Sequence, residues 1–172
     1  GIATTGGTLT VQDAGIFAVT GAKAINANNS KVDITAVNAT LNGDVTTNNA
    51  VTIKATKAAK VNGAVSANGA NSNVSISGEA TTITGAVAAN GANSNVSING
   101  TASAAISGAV NAVGANVAVT IDSADTTIGS DITANGKGAK ITAKHLSKLD
   151  GDVATDADGS VELNFKEGAS WS

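Results

Sequence analysis

Apolar and polar residues alternate along most of the chain in short runs, and Asn, Gly, Ser and Thr cluster between the runs. Val74-Ser75-Ile76 and Val96-Ser97-Ile98 are representative. A period of two predicts strands with one face buried. No window of a dozen residues carries a helical stripe. The nearest, Lys54 to Val61, reads as a turn followed by a strand.

The runs recur. Ala67 to Ile76 spells ANGANSNVSI, and Ala89 to Ile98 repeats it letter for letter. Similar units begin near residues 21, 43, 63, 85, 108, 130 and 151, so the period is about 22 residues, a solenoid spacing. Each unit reads as three short strands. The first carries Val45, Val65, Val87, Val110, Ile132 and Val153. The second carries Val32/Ile34, Val51/Ile53, Val74/Ile76, Val96/Ile98, Val117/Val119 and Val161/Leu163. The third carries Leu41, Val61, Ile83, Ile106, Ile128, Leu149 and Trp171. The expected fold is all-β: a right-handed parallel β-helix spanning residues 1–172, with three strands per coil and seven to eight coils. Coils stacked about 4.8 Å apart would make a rod of roughly 35 Å. The alternative, an antiparallel sandwich, requires paired hairpin turns that the near-identical units do not provide.

Composition sharpens this picture. Aromatic residues are 2% of the chain, so Ala, Val and Ile must fill a thin core. There is no Pro, as expected where each coil donates N–H groups to the next. All ten basic residues are Lys and the net charge is −3, which leaves no electrostatic footprint for nucleic acid. Without Cys there is no disulfide framework and no thiolate metal site.

The search for chemistry yields candidates but no convincing catalytic set. Asp122, Asp125 and Asp131 gather around one turn, and Asp150 and Asp152 around another, yet no Arg and no central aromatic platform accompany them. They read as solvated turn carboxylates, so no enzyme activity is expected. His145 is the only His, which leaves a Ser-His-Asp triad or a multi-His metal site without a second imidazole. The run Asp152 to Gly159 resembles part of a calcium loop but lacks its closing Glu. No cofactor is expected. Two features stand out as contact candidates. Asn48, Asn68, Asn90 and Asn135 recur at one position in successive coils, where they form either a structural turn ladder or a row of amides facing a partner. Lys137, Lys140, Lys144 and His145 form a basic segment, either solvated or touching an anion or a glycan. Asn is also suited to left-handed backbone at such turns.

Near the C-terminal end, Leu149-Asp-Gly-Asp-Val153 is followed by Val161-Glu-Leu163 and then by Ala169-Ser-Trp171. This stretch resembles the late coils of autotransporter (type V secretion) passengers of the pertactin-like and self-associating adhesin kind. The match covers about one coil closely and the others by pattern. Phe165 stands where an aliphatic is usual. The resemblance implies a rod displayed on or secreted from a Gram-negative bacterium, with a C-terminal β-barrel as its route through the outer membrane. It implies adhesion to host or bacterial surface molecules, self-association or biofilm formation. The rivals are a structural stalk, a two-partner-secreted haemagglutinin-like chain and a polysaccharide-active β-helix or tailspike segment.

Overall fold

The computed structural model describes residues 1–172 as sixteen strands without a helix. Every strand pairing is parallel, and paired residues lie 19 to 23 positions apart. The molecule is a parallel β-solenoid of about eight rungs with three faces.

The first face starts at β1 (Ile2–Thr5) and continues through the last residues of β2 (Thr8–Asn28) and β3 (Lys31–Thr47). The short strands β6 (Val65–Ala67), β8 (Val87–Ala89), β10 (Val110–Val113), β13 (Ile132–Asn135) and β15 (Val153–Thr155) complete it. The second face contains β4 (Ala50–Ala55) and β11 (Ala118–Ser123), with the opening halves of β7 (Asn73–Ile83), β9 (Asn95–Ile106), β14 (Lys140–Leu149) and β16 (Ser160–Trp171). The third face contains β5 (Ala58–Asn62), β12 (Thr126–Ile128) and the closing halves of those four long strands.

The sequence suggests three separate strands per coil, but in β7, β9, β14 and β16 the backbone bends from the second face to the third without leaving strand geometry. Register shifts at Gly78/Ala80 and Ala143/Leu146 mark two of these corners. The expected pair Val117/Val119 is displaced by two positions, because Val119 and Ile121 are the residues aligned with Val96 and Ile98. Gly78 pairs with Gly100, but Ala80 pairs with Ser103, so this corner takes up one additional residue and lengthens the unit. Val117 instead lies buried in the turn before β11.

One core of 37 buried residues runs the length of the solenoid. Ile34, Ile53, Ile76, Ile98 and Ile121 stack in register on the second face. Leu41, Val61, Ile83, Ile106, Ile128 and Leu149 do so on the third. Each fully buried aliphatic contributes about 1.5–3 kcal/mol. The few buried hydroxyls mostly find carbonyls. Thr47 donates to Ala27 and Thr81 to Asn99. Of the three aromatics, Phe17 packs at the N-terminal end in β2, while Phe165 and Trp171 stack at the C-terminal end with centroids 5.9 Å apart.

Candidate interaction face

The turn from the first face to the second carries the expected amide position. Register places Asn28, Asn48, Asn68, Asn90, Val113, Asn135 and Asp156 one above another. Their side chains do not form one unbroken ladder. Asn48 Nδ2 donates to Asn28 Oδ1 at 2.7 Å, and Asn90 Nδ2 donates to Asn68 Oδ1 at 2.9 Å. No side-chain hydrogen bond links Asn48 to Asn68; Asn48 Oδ1 accepts instead from the backbone N–H of Asn29 at 2.6 Å. Turn length accounts for the break. A single residue, Asn49, separates Asn48 from β4, whereas four lie between Asn68 and the start of β7. Beside the break, Lys23, Asn26, Asn28, Thr46, Asn48 and Asn68 border a shallow groove of about 210 Å³. Val113 interrupts the row, and Asn135 and Asp156 continue the position beyond it.

A second amide row lies in the same turn. Asn93 Nδ2 donates to Asn71 Oδ1 at 3.3 Å, and Asn116 Nδ2 donates to Asn93 Oδ1 at 3.2 Å. The left-handed backbone falls here, with φ of 61° at Asn71, 56° at Asn93 and 53° at Asn116, and the sequence-based assignment of that geometry to the first row is corrected. The N–H groups of these three residues donate to Ala92, Ala115 and Lys137 in the following rung. The repeated decapeptide ANGANSNVSI already contained Asn71 and Asn93, so the sequence did carry the signal. Strand alternation turns small polar side chains outward beside both rows, among them Thr46, Ser66 and Thr133 on the first face.

The four basic candidates do not form one patch. Lys137 sits exposed in the turn after Asn135 and makes no ion pair. Lys140 opens β14 and pairs with Glu162 at 3.2 Å. Lys144 and His145 lie at the next corner, 2.8 Å and 3.6 Å from the carboxylate of Asp122. The hydrogen bond and charge of Asp122 raise the Lys144 pKa, and the hydrogen bond from Lys140 lowers that of Glu162. A φ of 53° at His145 lets the strand bulge there.

Except for Asp152, whose carboxylate has no hydrogen-bond or ion-pair partner, the acidic candidates serve the backbone or pair with lysines. Asp44 Oδ1 accepts the N–H of Ala64, and Asp131 Oδ1 accepts that of Asp152, so the Gly-Asp and Ser-Asp turns cap the rung above. Asp125 faces Lys166 at 3.8 Å, and Asp150 is held by Lys148 and Ser172, which lower its pKa in that order. In the calcium-like run, Asp156 Oδ1 accepts from both Asp158 and Gly159. No group of three or more acidic or His residues converges to hold a metal ion.

No protein family, curated protein or solved structure matches the chain.

Proposed function

We propose that the chain is a non-enzymatic adhesin fragment of the autotransporter passenger type, working through its elongated polar face at a bacterial cell surface. The observation that carries this reading is the repetition of paired amides and small hydroxyls along the rod. Most rungs offer a small amide or hydroxyl to a partner, whether host or bacterial protein, glycan, or a second copy. With many copies on one cell, avidity multiplies contacts that are individually poor. The largely uncharged composition of the first face fits close polar packing better than long-range steering. Trp171, whose Nε1 donates to Gly151 at 3.0 Å, closes the last rung against the Gly-Asp turn and supports the resemblance of that coil.

A structural stalk is the second reading, favoured by carboxylates that are spent on backbone caps and ion pairs. Beads coated with this chain distinguish the two. Clumping of the beads, or their retention on epithelial or bacterial surfaces, supports the adhesin. Beads that stay dispersed and unbound support the stalk. Release of reducing or unsaturated ends from a glycan panel would replace both readings with an enzyme.

A further inference from the structure

Six Asn residues precede Gly: Asn42, Asn62, Asn68, Asn90, Asn99 and Asn135. An Asn-Gly step is the least hindered site for intramolecular attack of a backbone nitrogen on a side-chain amide. Gly43 and Gly100 lie inside strands. The other four glycines lie outside them, and their N–H groups differ. Those of Gly63, Gly69 and Gly91 donate no hydrogen bond within the protein, while that of Gly136 donates to Asp156 Oδ2 at 2.7 Å. We propose that Asn68 and Asn90, in the paired amide row, together with Asn62, are sites of spontaneous deamidation, and that Asp156 shields Asn135 from the same reaction.

The step balances with water alone. The deprotonated nitrogen of Gly69 attacks Cγ of Asn68, a C–N bond closes a five-membered imide, and the side-chain nitrogen departs as ammonia. Water then opens the imide at either carbonyl, leaving Asp or its β-linked isomer. At Gly136 the nitrogen's proton is engaged by a carboxylate, and that carboxylate also opposes the negative charge the attack requires. The fold cannot remove the hazard by changing the glycines. A Cβ on Gly69 would lie 2.6 Å from Asn48 Cβ, and one on Gly91 would lie 2.1 Å from the carbonyl oxygen of Gly69. The close stacking that builds the amide row therefore keeps its labile step. Conversion of Asn90 replaces a donor facing Asn68 Oδ1 with a carboxylate oxygen, and the face ages from neutral and cohesive to acidic and self-repelling.

The test is peptide mass mapping of the purified chain after incubation at mildly alkaline pH, folded and, in parallel, in denaturant. In denaturant Asn68, Asn90 and Asn135 should convert at similar rates. In the folded chain Asn135 should lag the other two about tenfold, the factor set by 1.4 kcal/mol. Asp156→Ala should bring Asn135 up to the rate of Asn68, whereas Asp156→Asn, which keeps an acceptor oxygen, should leave it slower than in Asp156→Ala. Equal rates at the three sites in the folded wild-type chain would overturn the proposal, as would a slow Asn135 in a folded Asp156→Ala variant. If that variant fails to fold, the wild-type comparison decides alone.

Discussion

Asn90 donates its side-chain amide to Asn68 across one rung at 2.9 Å, whereas Asn68 makes no such bond to Asn48 below it. The amide row is thus built in pairs, each spending one donor and one acceptor internally, and in the lower pair Asn48 Oδ1 also accepts the backbone N–H of Asn29 at 2.6 Å. A surface of this kind is adhesive only in bulk. Its stability and its binding draw on the same side chains, which sets the terms for the first test.

Replacing both Asn68 and Asn90 with Ala removes one exposed hydrogen bond of about 0.5–1.5 kcal/mol and leaves the core untouched. The variant should retain its β-sheet circular dichroism and unfold at slightly lower denaturant, while bead aggregation falls several-fold. Unchanged aggregation would acquit this row and direct attention to the other faces.

Backbone stacking predicts a sharper contrast between two glycines. Gly91→Ala places a Cβ 2.1 Å from the Gly69 carbonyl oxygen, a clash with backbone that rung separation alone can relieve. Gly15→Ala meets nothing within 4 Å and involves no left-handed φ. The first should lower the urea midpoint clearly or prevent folding, and the second should leave it unchanged or raise it slightly through the unfolded chain.

Three ionisable groups give the pH dependence its sign. Glu162 and Asp150 have lowered pKa values, so their stabilisation is present above the ordinary values of 4.5 and 3.8 and is lost as pH falls through the folded ones. Lys144 has a raised pKa, so its stabilisation is complete below the ordinary value of 10.5 and is lost as pH rises through the folded one. Glu162 is exposed and Lys144 and Asp150 are only half-buried, and ion pairs so open to solvent contribute little. Urea midpoints should therefore show a broad plateau between these limits with shallow falls on both sides. Lys144→Met should flatten the alkaline fall. An unaltered alkaline fall in that variant would remove the Asp122–Lys144 pair as its source.

Much of this architecture was legible because a solenoid repeats its constraints. Val45, Val65, Val87, Val110, Ile132 and Val153 were recognisable as one column, since an inward position admits only aliphatics of similar volume in every rung. The column from Leu41 through Val61 and Ile83 to Leu149 was legible for the same reason, and the exposed Trp171 continues its register at the end of the stack. The displacement of Val117/Val119 was not, because a shift of two positions leaves the inward and outward alternation unchanged. The Asn48 to Asn135 position was visible as a recurrence, but its division into pairs follows from turn length, which spacing alone conceals. The basic segment looked continuous in one dimension. In three, Lys140, Lys144 and His145 each find a carboxylate on a neighbouring rung, and a run of charge along a strand cannot reveal partners some 22 positions away.

The claim beneath all of this is that successive units stack as parallel rungs, and distances between spin labels test it most directly. Thr10, Ser97, Thr120 and Thr142 occupy one outward column on the second face. Labels on Thr10 paired in turn with Ser97, Thr120 and Thr142 span four, five and six rungs, so mean distances of about 19, 24 and 29 Å are predicted from the strand spacing. A steady rise of about 4.8 Å per rung is the signature of the stack. Distances that fall or fail to rise from one pair to the next would mean that the units fold back on one another, and the account of an adhesive rod would fail with them.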